Sequence, residues 1–255
     1  DVNNYSITNQ ASTTATITPK SLTLTGLTAS NKVYDGSVSA AISSYGTLTG
    51  IVGADAVSLV TSSASSSFAD KNVGNGKTVT LLASSLGLSG AAAGNYAITA
   101  NQTTTANITP KAISVSGITA ANKVYDGSSS ATVSVAGASF NGIVNGDALT
   151  VAATGTFANK NAGNGKTVTL TSTYGGADVA NYSFTGQATT TAGITAKSLS
   201  LTGLTAANKV YDGSALASIS SFGTLTGIVG ADAVSLVTSS ASASFADKNA
   251  ANGKT

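Results

Sequence analysis

Residues 20–78 read KSLTLTGLTASNKVYDGSVSAAISSYGTLTGIVGADAVSLVTSSASSSFADKNVGNGKT, and residues 197–255 repeat them without a gap, differing at 9 of 59 positions. A more diverged copy begins at Lys111, and KVYDGS marks all three copies, at Tyr34, Tyr125 and Tyr211. Starts at Lys20, Lys111 and Lys197 give periods of 91 and 86 residues, too long for one solenoid rung and suited to small autonomous domains. The chain therefore divides into the final strand of a preceding module at 1–19, complete modules at 20–110 and 111–196, and a truncated module at 197–255.

Apolar residues alternate with Ser, Thr or small residues, as at Leu22/Leu24, Val57/Leu59, Val79/Leu81, Tyr96/Ile98 and Tyr182/Phe184. That period of two belongs to half-buried strands, and Thr suits the outward positions of a pleated strand. Gly, Asn and Asp punctuate the runs at YDG, NGD, GNG and GGAD, which are turn chemistry. No window carries a helical stripe, and about seven short strands fit each period. The expected fold is all-β, a rod-like array of small immunoglobulin-like β-sandwich modules, with β-grasp-like or elongated β-meander modules as the alternative.

Spacing shows where length is allowed to vary. The Tyr of NY stands 29 residues before the Tyr of the next YDG in every instance, Tyr5 to Tyr34, Tyr96 to Tyr125 and Tyr182 to Tyr211. Within modules the count drifts: 44, 42 and 44 residues from the YDG Tyr to the Thr of NGKT, then 18 and 15 to the next NY. A flexible tether tolerates drift, so the constant junction implies that successive modules dock in a set arrangement. ITPKSLTL and ITPKAISV read as two strands joined at a proline, which Ala196 replaces in the third instance. Ile17 and Leu22 are five positions apart across Pro19, an odd interval that turns the apolar face from one core to the next.

Composition narrows the chemistry. The twelve basic residues are all Lys, the ten acidic residues all Asp, and Arg, Glu, His, Cys, Met and Trp are absent. No side chain titrates near neutrality unaided, and there is no thiolate nucleophile, disulfide or thiolate metal site. A net charge of +2 from scattered Lys argues against nucleic-acid and anionic-membrane partners. No apolar run approaches the roughly 18 residues of a spanning helix, and the chain opens on Asp1 without a signal pattern, as an internal piece of a longer protein would.

Several motifs invite a functional reading and have a simpler one. KVYDG sets an aromatic, an acid and a base together, but Asp-Gly makes a turn and Tyr buries a ring. GNGKT lacks the phosphate loop's first glycine, because Lys71 and Lys160 stand there and Ala251 interrupts the third copy. ADKNVGNG resembles a calcium loop through Asp70, Asn72 and Asn75, yet Asn159 replaces Asp70 in the second copy and no Glu completes the set. A Lys–Asn isopeptide bond needs a shared core that sequence does not reveal. Asn4, Asn101, Asn107 and Asn181 sit in glycosylation sequons, and the Thr-x-Thr strands would offer a hydroxyl array for ice or polysaccharide. Alternation with core residues already accounts for the latter. The expectation is no catalytic residue, no cofactor-binding residue, no metal ligand and no cofactor.

ITPK, KVYDG, the small-residue strand after it, FADKNVGNGKTV, and GNY running into the next ITPK together resemble the YDG-type repeats of large bacterial surface adhesins, including filamentous-haemagglutinin-like secreted proteins. The likeness covers essentially the whole chain. It implies a secreted or cell-surface protein whose repeats form a stalk or fibre in an adhesin, matrix or biofilm protein, without enzymatic activity. The alternative is that the modules themselves bind glycan or extracellular matrix. That reading wants aromatic platforms in a concavity, and aromatic residues are only 5% of the chain.

The expected partners are adjacent modules of the same chain, with lateral or end-to-end association into filaments through unpaired strand edges. The flanks are complementary: after Thr255 the pattern calls for a VTL strand, a loop and then a segment like DVNNYSIT, with which the chain opens. A window cut from a continuous array and end-to-end strand addition both fit. The window is favoured, because about ten residues, counted from Val168 to Ala177, are otherwise missing at each joint.

Overall fold

The computed structural model describes residues 1–6, 8–9 and 12–255; Ile7, Gln10 and Ala11 of the expected 1–19 strand lie outside the described residues. All described regular structure is β-strand apart from four three-residue 3-10 turns. The strands form several small, curled sheets in two compact units, residues 1–113 with 141–149 and 175–185, and residues 114–140, 150–174 and 186–255.

In the first unit a four-stranded sheet runs in the order Lys32–Val33, Gln102–Thr109, Gly74–Leu81, Ser66–Phe68. Gln102–Thr109 lies antiparallel to Gly74–Leu81 and parallel to Lys32–Val33, so the last strand of the repeat is clasped between an early strand and a central one. Lys20–Ser21 likewise pairs parallel with Tyr96–Ala97. Two-stranded sheets join Thr23–Thr25 to Thr47–Thr49, Thr28–Ala29 to Ile42–Ser44, and Ser58–Val60 to Gly87–Ser89. The expected alternation places side chains where it should: Leu22, Val79, Leu81 and Ile108 are buried with Tyr34, Phe68 and Tyr96. The outward threonines bond one another across strands, Thr23 Oγ1 to Thr49 Oγ1 at 2.7 Å and Thr25 Oγ1 to Thr47 Oγ1 at 3.1 Å, as cross-strand pairs do. Ile108 and Ile113, the counterparts of Ile17 and Leu22, are both buried on either side of Pro110.

The second unit repeats the plan. A five-stranded sheet runs Lys123–Val124, Thr189–Thr195, Gly163–Gly175, Thr150–Phe157, Ser130–Ala131, over a core that includes Ile118, Phe157, Val168, Leu170 and Ile194. The copy at 197–255 is more open. Ser200–Ala206 pairs with Ile219–Thr226 and Leu216–Ala217 with Ala243–Ser244, but Leu199 is 37% exposed where its counterpart Leu22 is 1%.

Gly36, Gly127 and Gly213 have φ of 79°, 80° and 81°, the left-handed turn conformation that the Asp-Gly pattern calls for. Structure adds a second constraint at two of them. A Cβ on Gly36 would come within 2.6 Å of Val144 Cγ1, and one on Gly127 within 2.9 Å of Val229 Cγ1; Gly213 has nothing within 4 Å. Gly127→Val is therefore expected to cost about 1–3 kcal/mol in chemical denaturation, from backbone strain plus the clash with Val229. Gly213→Val, bearing the strain alone, should cost less; equal losses would show that the Val229 contact is immaterial.

Candidate functional site

Each KVYDGS segment splits its polar residues between two tasks. Lys32 Nζ donates to Asp35 Oδ1 at 2.7 Å and to the carbonyl of Ser37 at 2.8 Å, while Asp35 Oδ1 also accepts the Ser37 N–H. Lys123 with Asp126 and Lys209 with Asp212 repeat this staple. The lysine also sits 5.6–5.8 Å from the ring centroid of Phe68, Phe157 or Phe245 in its own copy. The acid and the base of the motif thus close the turn, as its sequence suggests. They leave the tyrosine free to reach elsewhere.

In the first unit the Tyr34 hydroxyl donates to Asp147 Oδ2 at 2.8 Å, 113 positions along the chain. Asp147 belongs to the NGD turn of the second repeat. The same oxygen accepts from Tyr182 Oη at 2.5 Å, and the other, Oδ1, accepts from Lys71 Nζ at 3.1 Å. The Asp147 side chain is only 3% exposed. Lys71 comes from the ADKN loop of the first repeat; it lies 5.9 Å from the Tyr34 ring centroid and 3.7 Å from Asp178 Oδ1. The Tyr34 and Tyr182 rings meet edge to face at 5.5 Å between centroids, a favourable aromatic arrangement. Asn181, the residue before Tyr182, is buried; its Oδ1 accepts the Val73 N–H at 2.9 Å, and its Nδ2 donates to Asn72 Oδ1 at 3.3 Å. Two loops of one repeat, YDG and ADKN, are therefore held by two loops of the next, NGD and ADVANY.

The second unit contains the same latch. Tyr125 Oη donates to Asp232 Oδ2 at 2.6 Å, Lys160 Nζ to Asp232 Oδ1 at 3.2 Å, and Lys160 lies 5.9 Å from the Tyr125 ring centroid. Asp232 follows Ile228-Val229-Gly230-Ala231, and the first repeat carries the same IVGAD at residues 51–55. There, Asp55 accepts from its own repeat's Tyr96 at 2.5 Å, as Asp147 does from Tyr182.

Charge in this cluster is balanced from within. Burial alone would raise the Asp147 carboxyl, but hydrogen bonds from Tyr182 and Tyr34, with Lys71 beside them, outweigh it and hold the group below its ordinary value. Burial and the neighbouring carboxylate push the Tyr182 phenol up to about 12, and Tyr34 is raised for the same reasons. A carboxyl depressed on folding contributes stability above its unfolded value, about 3.9, and loses it as pH falls through the folded value. A phenol raised on folding contributes below about 10 and loses it as pH climbs through the folded value. Unfolding measured against pH should show a plateau between those limits with an acid limb below about pH 4. Asp147→Asn should flatten that limb, and an unchanged limb would mean that other carboxylates cause it.

The remaining motifs are occupied by structural roles. Asp70 Oδ1 accepts from Lys77 Nζ at 2.6 Å and from the Asn72 N–H at 2.8 Å. Asn159 Oδ1 does the same with Lys166 and Asn161, which explains how Asn replaces Asp in that copy. The lysine of GNGK is thus a tether for the ADKN loop. Asn101 and Asn107 accept the N–H groups of Ala83 and Gly76, so two sequon side chains cap backbone. Among the described residues no group of three or more acidic side chains is placed to hold a metal.

Sequence reasoning identified YDG as a turn, weighed ADKNVGNG against a calcium loop and took NGD for simple punctuation. It missed Asp55, Asp147 and Asp232 as acceptors. Their recurrence as IVGAD, IVNGD and IVGAD was the available signal.

A chain of all-β repeats, each holding the next through one carboxylate, is a modular tandem-repeat protein. YDG domains match residues 18–106, 109–192 and 195–255, and the chain belongs to that family. No match is found among curated proteins or solved structures.

Proposed function

We propose that the chain is a non-catalytic structural stretch of a secreted or cell-surface bacterial adhesin or matrix protein, a stalk or fibre in which YDG repeats act as spacers. The observation that carries this reading is the Tyr–Asp–Lys latch, made by Tyr34, Asp147 and Lys71 and again by Tyr125, Asp232 and Lys160. A spacer must transmit load from repeat to repeat, and a carboxylate held by a phenol and an ammonium, with a second phenol and near-complete burial at Asp147, resists separation better than a solvated tether. The acids and bases of the latch satisfy one another rather than facing a cleft. Each repeat serves as one small immunoglobulin-like sandwich, supported by side chains of the four-stranded sheet, Phe68, Val79 and Ile108, being buried alongside Leu22 and Tyr96 of the smaller sheets.

Pulling single molecules held at residues 1 and 255 tests the proposal. The expected trace loses an early force peak on Asp147→Asn, with the later peaks retained. Saturable binding of the unmodified chain to one glycan on an array, with no mechanical effect of Asp147→Asn, would replace the spacer by a binding module.

A further inference from the structure

The acceptor loops IVGAD, IVNGD and IVGAD of the three repeats close the same turn with different residues at its centre. In the first repeat the Asp55 N–H donates to the Val52 carbonyl at 3.2 Å, and in the third the Asp232 N–H donates to the Val229 carbonyl at 3.1 Å; the central residues are Gly53-Ala54 and Gly230-Ala231. The second repeat closes from the Asp147 N–H to the Val144 carbonyl at 3.1 Å around Asn145 and Gly146, with φ of 91° at the glycine, the positive angle that a type II turn requires at its second central residue. An Asn–Gly pair therefore stands immediately before the carboxylate that takes Tyr34, Tyr182 and Lys71.

Such a pair carries its own chemistry. The glycine nitrogen attacks the asparagine Cγ and gives up its proton; the side-chain amide takes a proton and leaves as ammonia, and a five-membered succinimide remains. Water then opens either carbonyl, leaving aspartate or, with the main chain rerouted through Cβ and Cγ, isoaspartate. The attacking group is already held in reach of its target, which favours ring closure, and glycine has no Cβ to shield the nitrogen. The fold decides whether that nitrogen is free to turn. The 145–146 peptide is the central one of its turn and takes no part in the closing bond, so it can rotate while Asp147 stays bonded to Val144. Among the described residues no hydrogen bond is made to the Gly146 N–H; Asn145 and Gly146 are both exposed, and nothing lies within 4 Å of the place of a Gly146 Cβ.

The other Asn–Gly pairs are held or stand apart from the latches. The Gly76 N–H donates to Asn107 Oδ1 at 2.7 Å, which ties up the nitrogen that would attack Asn75. Asn141 and Asn164 lie in the strands Ser139–Asn141 and Gly163–Gly175, and Asn252 takes part in neither latch. We infer that Asn145 is a site of spontaneous deamidation and isomerisation, and that its conversion opens the junction between the first and second repeats. Val144 and Asp147, at the two ends of the turn, are both anchored: the Val144 N–H donates to Tyr182 Oη at 2.9 Å, and Val144 Cγ1 lies against Gly36. Isoaspartate adds one methylene to the chain between these anchors and sets a new carboxylate beside Asp147, whose ionised form a like charge opposes. The junction made through Asp232 has Gly-Ala in its turn and escapes the reaction.

The effect on the junction rests on the latch described above, whereas the chemistry at Asn145 does not, and the test reads them separately. The 255-residue chain is aged at mildly alkaline pH and its peptides are mapped for aspartate and isoaspartate. Asn145 should convert about tenfold faster than Asn75 in the folded chain, the two rates drawing level in urea, where the bond from Gly76 to Asn107 is lost. Asn145→Ala, which the first central position of the turn accepts, should melt like the parent when fresh; ageing should lower the melting temperature of the parent and leave that of the variant unchanged. Asn145→Asp supplies the charge without the methylene and should lower it by less. Asn145 still intact after Asn75 has converted, full conversion at Asn145 with no lower melting temperature, or an equal loss in aged Asn145→Ala would each overturn the inference. If Asp147→Asn destabilises the fresh chain in those cases, the latch stands and only the inference at Asn145 falls.

Discussion

Asp147→Ala should destabilise the first two repeats by about 2–4 kcal/mol, the largest loss expected from any single polar residue of the chain. The substitution removes the acceptor of Tyr34 Oη, Tyr182 Oη and Lys71 Nζ at once. Lys71 is partly exposed and regains water, so its share is small. The two phenols carry most of the cost, because a hydrogen bond to a charged group is worth about 1.5–3 kcal/mol and a buried donor left without an acceptor costs more than the bond itself contributed. Asp55→Ala is the control: it removes the bond from Tyr96 within one repeat and, among the described residues, no side-chain bond from another repeat. Its loss should be about 1.5 kcal/mol, the low end for one bond to a charged group. Urea denaturation of both variants decides the matter, and equal losses would mean that contact between repeats adds nothing to stability.

The second large effect separates positions that are identical in sequence. Leu22→Ala should cost about 3 kcal/mol, within the range for deleting a buried leucine side chain where the surroundings relax only partly. Leu199→Ala, the same change in the near-identical third copy, should cost under about 1 kcal/mol, because that side chain is already partly in water. Denaturant unfolding followed by amide exchange resolves the two. Residues 20–196 are expected to protect their amides and residues 197–255, where Leu199 and Tyr211 are exposed, to exchange faster. A matched loss at Leu199 would show that the third copy builds a core of its own.

Much of this was legible in the repeats. Period-two alternation at Val79/Leu81 and Tyr96/Ile98 demands strands, since only a pleated chain places such residues on one face. Asp-Gly at Gly36, Gly127 and Gly213 demands a left-handed turn, and all three glycines adopt one. The fixed interval of 29 residues between NY and YDG also has a material cause. Tyr96 closes the acceptor loop of its own repeat, while Tyr125 enters that of the next, so the chain between them spans one junction.

Partner choice at the junction was not legible. KVYDG contains a lysine and an aspartate that satisfy each other locally, and nothing in the motif tells its tyrosine from an ordinary core residue. Local sequence by itself determined the all-β class, the threefold tandem repeat, the turns and the poverty of catalytic groups, because strand periodicity and glycine stereochemistry act over two to four residues. Only the tertiary structure decided that Tyr34 meets Asp147 and Tyr125 meets Asp232, and that Val144 and Val229 press on Gly36 and Gly127. Those contacts join residues about a hundred positions apart, and they exist only when the loops of consecutive repeats fold against one another and exclude water from a carboxylate that alone would have stayed solvated.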